Sequence, residues 1–525
     1  MDNYILTGKE TLGIELGSTR IKAVLIDEKF TPIASGGYNW ENSFENGYWT
    51  YSLEEVWKGI QTAYKELNKK VYEMCGNNIE TLSAIGFSAM MHGYLPFNKN
   101  GELLTPFRTW RNTTTSQAAK ELTELFNFNI PQRWSIAHLY QAVLNNEEHI
   151  KDIDFITTLA GYVHWKLTGV KAVGIGEASG IFPIDSDNNC YNAEMLSKFS
   201  NLDKIKEMPW SVENILPKVL LAGEYAGSLT PEGALLLDPS GCLKSGITLC
   251  PPEGDAGTGM TATNSVRVKT GNVSAGTSIF SMIVLEKQLS KVYEEIDLVT
   301  TPTGKPVAMV HCNNCCTDLD YWVNLFYEFA QKSGINISKP KVYDLLYNEA
   351  LYGDKNCGGI LNFNLFSGEP VSGLEDGLPI FARTRNCNFN LANFFRAQIF
   401  STMATLKIGM EILEKENVQI DCIMGHGGLF KTPVVGQKLM AGALNSPVAV
   451  MQTAGEGGAW GIAVLAKYAA DNTELSLEDY LDALVFNDCE KSVINPDAKD
   501  IEGFEEYMRL YKSGLAVEKA AIQSL

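Results

Sequence analysis

The 525-residue sequence lacks the features that mark several large classes of protein. It has no run of about 18 apolar residues, so we expect no membrane-spanning helix. Lys and Arg number 43 against 62 Asp and Glu, and the formal charge of -19 argues against a nucleic-acid or anionic-membrane partner, since either needs a basic surface. The opening MDNYILTGKE lacks the basic start and apolar stretch of a secretory signal, so we expect a cytoplasmic protein with reduced thiols.

Several catalytic and cofactor motifs are also missing. No Walker A sequence is present, which excludes a P-loop kinase, and neither G-x-S-x-G nor H-E-x-x-H occurs. The stretch from Gly257 to Ala262 fits a dinucleotide fingerprint only formally, because no strand precedes it, and a nicotinamide dehydrogenase is therefore disfavoured. The 11 cysteines include the cluster HCNNCC at His311 to Cys316, which has no second Cys/His pair at zinc-site spacing. We favour a buried, reduced, structural role for this cluster.

The N-terminal stretch from Thr11 to Asp27 is predicted to form two apolar strands joined by a tight polar turn at Gly17 to Thr19. Glu15 precedes the turn and Lys22 follows it. Such a hairpin can present N–H groups and hydroxyls to a phosphate, with a carboxylate nearby to hold a hydrated metal. A plain structural hairpin is the alternative, because many hairpins carry Gly and Ser in the turn.

A second hairpin of the same composition begins near Val266, with its turn at Asn272 to Ser278. The chain therefore has two similarly organised halves, with a boundary near residue 262. The duplication concerns organisation, since no long sequence repeat accompanies it. Paired in this way, the two hairpins are expected to act as two phosphate-binding turns.

Two further stretches suggest a ligand site. Trp110, Arg111 and Asn112 combine an aromatic face with polar groups, which suits a hydroxylated ligand, although a surface turn with a packed Trp explains them as well. Met91 and His92 follow a predicted buried strand, where α/β proteins often place ligand-contacting residues. Asp255 stands among Gly and Ala residues and is either a helix N-cap or a catalytic acid.

The order of these stretches resembles the FGGY carbohydrate kinases, and most closely the xylulokinase-like members, from about Leu12 to Tyr468. GIELGSTRIKAVLID and GNVSAGTS are similar to the two phosphate motifs, and GHGGLFKTPVVGQKLMAGALNSPV to the adenosine motif. MMHGYLPFNKNGELLTPFRTW resembles the sugar-site stretch, GEASGIFPID the family's Asp-Ala-Ser-Gly loop, and GDAGTG the catalytic loop.

The resemblance implies an α/β fold with two actin-like (ribonuclease H-like) domains and an interdomain cleft. It implies a sugar-binding domain at 8–262, an ATP-binding domain at 263–490 and a helical tail at 491–525. The expected activity is ATP- and Mg²⁺-dependent phosphorylation of a ketopentose or a related sugar or polyol, with Asp255 as general base. The sequence identifies neither the sugar nor the phosphorylated carbon nor the oligomeric state, for which a homodimer is one expectation.

The resemblance also implies the roles of individual residues. The sugar would contact Met91, His92, Trp110, Arg111 and Asn112. The nucleotide would contact Gly17, Ser18, Thr19, Lys22, Ser274, Gly276, Thr277, Ser278, Gly427 and Gly428. Glu15 and Asp255 would hold the metal through water.

The sequence departs from the family pattern in three motifs. Glu15 and Gly442 stand where Asp is common, and the Trp-x-Asp-x-Arg sugar motif has Arg111 and Asn112 after Trp110. Glu15 and Asn112 motivate an alternative to the enzyme, which is a non-catalytic regulator that binds sugar or nucleotide on the same fold.

Overall fold

The structure, a computed structural model, describes residues 5–451 and 457–525. The chain divides into two compact units, each assembled from separate segments of sequence. The first unit contains Met1–Val266, Asp297–Val307 and Glu456–Asp488, and the second contains Arg267–Ile296, Ala308–Gly455 and Cys489–Leu525. In neither described range does a helix combine the length and the apolar character that crossing a bilayer requires.

The strands are β1 (Thr11–Leu16), β2 (Arg20–Ile26), β3 (Pro32–Asn39), β4 (Ser43–Glu45), β5 (Tyr48–Thr50), β6 (Ala84–Ala89), β7 (Leu95–Phe97), β8 (Phe155–Thr157), β9 (Ala172–Gly174), β10 (Ile184–Asp185), β11 (Cys190–Tyr191), β12 (Lys218–Leu220), β13 (Thr248–Leu249), β14 (Glu253–Gly254), β15 (Thr270–Ala275), β16 (Ile279–Val284), β17 (Asp297–Thr300), β18 (Pro306–Cys312), β19 (Ile360–Phe363), β20 (Ile380–Arg383), β21 (Cys422–Gly427), β22 (Val448–Met451) and β23 (Lys491–Ile494).

The α-helices are α1 (Leu53–Cys75), α2 (Ser116–Phe126), α3 (Ser135–Leu144), α4 (Leu159–Thr168), α5 (Ile175–Ala178), α6 (Ala193–Ser200), α7 (Asp203–Lys206), α8 (Val212–Ile215), α9 (Pro231–Leu237), α10 (Asp255–Ala262), α11 (Thr317–Lys332), α12 (Lys339–Ala350), α13 (Leu391–Lys415), α14 (Val435–Leu444), α15 (Gly457–Asp471), α16 (Leu477–Tyr480) and α17 (Ala498–Ser524).

The first unit is built on a sheet in the strand order β13-β6-β1-β2-β3, and β14 also pairs with β6. Strands β1, β2 and β3 are antiparallel neighbours, whereas β6 runs parallel to β1 and β14 runs parallel to β6. The sequences of β1 and β6 are almost wholly buried, as expected for strands that are covered on both faces.

Two helices cover this sheet at close range because glycines face them. A Cβ at Gly36 of β3 would lie 2.0 Å from the Ala63 oxygen of α1, and one at Gly13 of β1 would lie 2.0 Å from the Ala459 oxygen of α15. Helix α1 begins where Ser52 accepts a hydrogen bond from the Glu55 N–H. Helix α15 joins the first unit although it follows β22 in the chain.

The second unit repeats the central arrangement of the first. Strand β15 pairs antiparallel with β16 and parallel with β21, as β1 pairs with β2 and β6. Within this unit the strand order is β18-β16-β15-β21-β22-β23. The predicted repeat of organisation is therefore confirmed, and both predicted hairpins form.

The C-terminal segment contributes to the core of the second unit. Strand β23 pairs antiparallel with β22, and α17 buries Tyr507 and Tyr511 completely. The C-terminal segment thus begins with strand β23, and the aromatic side chains of α17 pack into the core of the second unit. The ranges 8–262, 263–490 and 491–525 stay predictions, since the two compact units interleave along the chain.

Candidate active site

Three parallel strands of the first unit end at one edge of its sheet. In register, Glu15 of β1 lies beside Ser88 of β6, and Ser88 lies beside Glu253 of β14. The next residues after these strands are the hairpin turn from Gly17, the loop that contains Met91, and Asp255. Carboxyl ends of parallel strands are the usual place for ligands in α/β sheets. The structure thereby brings three of the predicted site segments together.

Side-chain and backbone donors of the protein bind the carbonyl oxygens of the first hairpin turn. The Gly17 carbonyl accepts a hydrogen bond from Trp40 Nε1 at 2.7 Å, and the Thr19 carbonyl accepts one from the Trp40 N–H at 3.1 Å. The Ser18 carbonyl accepts one from the Tyr51 hydroxyl at 2.6 Å. All three carbonyl oxygens of the turn therefore have partners, which fixes the position of the turn before any ligand binds.

Glu15 extends from β1 to the first turn of α15. Its Oε2 accepts a hydrogen bond from the Ala459 N–H at 3.2 Å, and a Cβ at Gly458 would lie 2.3 Å from its Oε1. Burial, followed by the neighbouring Asp255 carboxyl, raises the pKa of Glu15 to about 7, against the lowering effects of the Ala459 N–H and Lys22. The longer side chain that replaces the usual Asp thus has a defined place beside glycine.

Asp255 is the first residue of α10, and Gly254 occupies the N-cap position. The Asp255 Oδ1 accepts a hydrogen bond from the Met91 N–H at 3.1 Å, which connects α10 to the loop after β6. Asp255 is an exposed residue, yet desolvation of its carboxyl by the surrounding protein raises the pKa of this group. Asp255 is therefore not the N-cap of α10, and a carboxyl with a raised pKa is suited to proton transfer.

The loop after β6 carries Met91 and His92, the two residues predicted to contact the sugar, and these residues have different surroundings. Met91 contributes its backbone N–H to Asp255, as described above. His92 has a left-handed backbone with φ of 69°, and its ring is buried against Trp134 at a centroid distance of 6.3 Å. A Cβ at Gly180 would lie 2.6 Å from the His92 Nδ1, so this imidazole packs tightly inside the first unit.

Trp110 lies beside the first hairpin turn, since its Nε1 donates to the Ser18 Oγ at 3.2 Å. Its ring is 36% exposed, which leaves an aromatic surface open at the site. The Arg111 guanidinium lies 4.0 Å from the centre of the Trp49 ring and donates to Asn42 Oδ1 at 2.9 Å. The structure therefore groups Trp110 and Arg111 with a second tryptophan that the motif did not indicate.

Asn112 is buried and both ends of its amide contact the main chain. Oδ1 accepts a hydrogen bond from the Trp49 N–H at 2.8 Å, while Nδ2 donates to the Trp49 carbonyl at 2.9 Å and to the Thr109 carbonyl at 3.0 Å. The amide thus joins the hairpin that carries Trp49 to the turn that carries Trp110. Its role as a sugar ligand stays a prediction.

The second hairpin turn is also held through its carbonyl oxygens. The Thr277 carbonyl accepts from the Cys315 N–H at 2.9 Å, and the Gly276 carbonyl accepts from the Cys316 N–H at 3.0 Å. The Gly276 N–H donates to the Ser278 carbonyl at 2.9 Å. The HCNNCC segment therefore positions this turn through its backbone, a connection that no spacing rule indicates.

The glycine-rich end of β21 lies next to this turn. In register, Ser274 pairs with His426 and Ala275 pairs with Gly427. Gly427 has φ of 98°, and a Cβ there would lie 2.4 Å from the Ala275 oxygen. Gly428 follows as the first residue of a short 3₁₀ turn. The second unit thus collects the predicted nucleotide residues of its two motifs at one sheet edge.

Two models of protein-family domains match this chain. The model for the N-terminal domain of the FGGY family of carbohydrate kinases matches residues 11–238, and the model for its C-terminal domain matches residues 271–470. Xylulose kinase of Haemophilus influenzae is 22% identical over 96% of this chain and 99% of its own length.

Two solved structures share the fold. A xyloylose kinase from Brucella ovis has a TM-score of 0.77 at 19% identity, over 97% of this chain and 100% of that chain. A gluconate kinase from Lactobacillus acidophilus has a TM-score of 0.76 at 17% identity, over 97% and 98% of the two chains. The chain belongs to the FGGY family of carbohydrate kinases and has the two-domain, actin-like fold of that family.

Proposed function

We propose that this kinase transfers the γ-phosphate of ATP to a hydroxyl of a ketopentose of the xylulose type, or of a related sugar or polyol. The observation that carries the proposal is Asp255, an exposed residue that follows β14 and whose carboxylate accepts a hydrogen bond from the Met91 N–H. The name of the Haemophilus influenzae relative, xylulose kinase, supports the substrate class. We place the reaction in the cytoplasm, where ATP and reduced thiols coexist.

Asp255 acts as the general base. It accepts the proton of the sugar hydroxyl while that oxygen forms a bond to the γ-phosphorus and the bond from phosphorus to the bridging oxygen of ADP breaks. Its raised pKa brings its proton affinity closer to the operating pH, which favours base catalysis. The contact with the Met91 N–H fixes one oxygen, so the other can face the substrate.

The sugar site is assigned to the first unit. Trp110 supplies an exposed aromatic surface for C–H groups, and Arg111 supplies donors for hydroxyls. Met91 belongs to this site through its position beside Asp255. His92 is buried in packing contacts, and Asn112 is buried and bonded to the main chain. We assign both residues to supporting the residues that line the sugar site.

The nucleotide is assigned to the two hairpin turns and to the glycine-rich end of β21. The residues concerned are Gly17, Ser18, Thr19, Lys22, Ser274, Gly276, Thr277, Ser278, Gly427 and Gly428. Backbone N–H groups at turns, hydroxyls and one lysine match the acceptor oxygens of phosphates. We keep 8–262 and 263–490 as the sugar- and ATP-binding ranges, with 491–525 as the tail; a homodimer stays a prediction.

Mg²⁺ fits the acids of the first unit. Glu15 and Asp255 repel each other enough that Asp255 contributes to the raised pKa of Glu15, and a divalent cation relieves this repulsion. Mg²⁺ is commonly held by one or two carboxylates together with waters and substrate phosphates. We assign Glu15 and Asp255 to hold it through water, where it would neutralise charge on the phosphate oxygens.

The test uses purified protein with ATP and Mg²⁺ and a panel of pentuloses, hexuloses and polyols. The Asp255→Asn variant keeps an oxygen for the Met91 N–H but lacks the basic carboxylate. We expect kcat on the best substrate to fall by about 10²–10⁴-fold, the usual contribution of a general base. Asp187→Asn, at an exposed position, is the control and keeps full activity.

Two outcomes contradict the proposal. Full activity of Asp255→Asn shows that another group takes the proton. Binding of sugar or nucleotide by calorimetry, with no phosphorylated product across the whole panel, identifies a non-catalytic regulator instead.

A further inference from the structure

Two loops of the first unit contact each other through buried glutamates. The glutamate of each loop lies against glycine in the other loop. One loop runs from the end of β9 through α5 and carries Glu177, and the other contains β14 and the start of α10 and carries Glu253. Both carboxyl groups are buried, with exposures of 0% for Glu177 and 1% for Glu253. Asp255 is two residues beyond Glu253, so the second loop is also the loop of the general base.

Glu253 binds the backbone of the first loop. Its Oε1 accepts a hydrogen bond from the Gly176 N–H at 3.2 Å, and its Oε2 accepts one from the Glu177 N–H at 2.9 Å. A Cβ at Gly174 would lie 2.2 Å from Oε1, and a Cβ at Gly176 would lie 2.5 Å from Oε2. The carboxylate therefore occupies space that only glycines at these two positions leave open.

Glu177 makes the reciprocal contact by shape. A Cβ at Gly254 would lie 2.5 Å from the Glu177 Oε2 and 2.1 Å from the Met91 Cγ, so Gly254 is confined between these two side chains. Gly254 directly precedes Asp255, and the Met91 N–H is the donor to the Asp255 carboxylate. A movement of Gly254 therefore changes the direction in which Asp255 points.

We infer that Glu253 and Glu177 are positioning residues that hold Asp255 in the orientation required for proton transfer, Glu253 through its two backbone hydrogen bonds and Glu177 through its contact with Gly254. The inference rests on the proposed function, in which Asp255 is the base. A general base works only within hydrogen-bond reach of its proton, and a displacement of about 1 Å can cost about 10²-fold in rate.

The two roles predict opposite responses to the same substitution. Glu253→Gln places an NH₂ group against a backbone N–H and loses one of the two hydrogen bonds, so we expect kcat to fall at least 10-fold, with less than threefold change in KM for sugar or ATP. Glu177→Gln keeps the shape against Gly254 and is expected to retain kcat within threefold. Glu177→Ala removes the contact with Gly254 and is expected to lower kcat about 10-fold. Glutamine at position 177 is therefore expected to retain the kcat that alanine loses.

Glu10→Gln is the matched control. Glu10 is likewise 1% exposed in the first unit, and its two oxygens each accept one backbone N–H, from Thr7 at 3.0 Å and from Gly8 at 2.9 Å. It lies before β1, at the opposite end of that strand from the hairpin turn. Glu10→Gln is expected to lower the melting temperature as Glu253→Gln does, with kcat unchanged.

The outcomes separate this inference from the proposed function. If Asp255→Asn is inactive while Glu253→Gln keeps full kcat, the positioning role is wrong and the base assignment stands. If Asp255→Asn keeps full activity, the base assignment itself fails. Should Glu253→Gln not fold, the Glu177→Ala and Glu177→Gln pair decides, and equal kcat for these two variants overturns the inference.

Discussion

At the scale of single residues, Asn112 shows why an amide replaces the carboxylate of the family pattern. Its Nδ2 donates to two carbonyl oxygens and its Oδ1 accepts one N–H, all inside the protein. A carboxylate can accept hydrogen bonds but has no hydrogen to donate when ionised. An asparagine therefore satisfies these main-chain partners, which an ionised aspartate could not satisfy in full.

The Asn112→Asp variant tests this explanation. The new carboxylate faces the Trp49 and Thr109 carbonyls without a donor, so we expect the free energy of unfolding to fall by about 1–3 kcal/mol. Because Arg111 packs on Trp49, the KM for sugar is expected to rise as that hairpin shifts. Denaturant unfolding and steady-state kinetics provide the two measurements.

Asn348→Asp serves as the control for that substitution. Asn348 is exposed and its Nδ2 donates to the Asp344 carbonyl at 2.7 Å, so the same chemical change occurs in water. Its cost is expected to be about 0.5 kcal/mol or less. A similar loss of stability in the two variants would falsify the role assigned to Asn112.

Gly442 illustrates a second departure that the structure explains. A Cβ at this position would lie 2.9 Å from the Asp500 Cβ of α17. Asp500 is buried and pairs with Arg396 at 2.9 Å and with Lys355 at 2.5 Å. A carboxylate thus reaches this region from the C-terminal helix, and an aspartate at 442 would collide with it.

At the scale of elements, the local pattern predicts the two hairpins well. The predicted hairpin at Thr11 to Asp27 forms as β1 and β2, because two apolar stretches joined by a polar turn specify it locally. Helix α1 begins at Leu53, and its cap at Ser52 is likewise a local feature of the sequence. Short-range chemistry decides both elements.

Contacts between distant segments could not be predicted in this way. The Gly176 N–H and the Glu253 carboxylate are 77 residues apart, and no periodicity links them. Likewise, the sequence around Gly13 predicts only an ordinary strand. The need for glycine at this position follows from the packing of α15 against it. The resemblance to a family identified Asp255, whereas the residues that orient it emerge only from the packing.

The end of β21 provides a prediction for an element. Gly427 has φ of 98° and ψ of -171°, a region open essentially to glycine, and a Cβ there would lie 2.4 Å from the Ala275 oxygen. Gly427→Ala is therefore expected to push β21 away from the second hairpin turn. We expect KM for ATP to rise about 10-fold or more, and KM for sugar to change little.

The Gly334→Ala variant is the control for Gly427→Ala. It separates the effect of a positive φ from the effect of a collision between the new Cβ and a neighbouring atom. Gly334 also has a positive φ of 75°, but nothing lies within 4 Å of a Cβ built there. This variant is expected to lose about 1 kcal/mol of stability from the left-handed backbone, with KM for ATP unchanged. An unchanged KM for ATP in Gly427→Ala contradicts the nucleotide role of this edge.

At the scale of the whole molecule, buried ionisable groups of two kinds shape stability in opposite directions. Burial lowers the pKa of His138 to about 3 and of His149, His164 and His426 to about 4. The unfolded chain therefore binds these protons more tightly, and stability rises with pH until about 6.5. Burial raises the pKa of Glu369 to about 7, so its contribution is present below about 4.5 and is lost as pH rises through 7.

Glu369 therefore predicts a component of the stability that declines between about pH 6 and pH 8. Glu369 is fully buried in the second unit, where its oxygens accept the N–H groups of Asn313 and Asn314, each at 3.2 Å. Glu369→Gln stays neutral throughout, so between pH 6 and pH 8 the wild type is expected to lose on the order of 1 kcal/mol more stability than the variant. Denaturant titrations at several pH values measure this difference, and Glu502→Gln, at an exposed position, is expected to follow the wild type. Parallel pH profiles for the wild type and Glu369→Gln would show that this carboxyl does not set the decline.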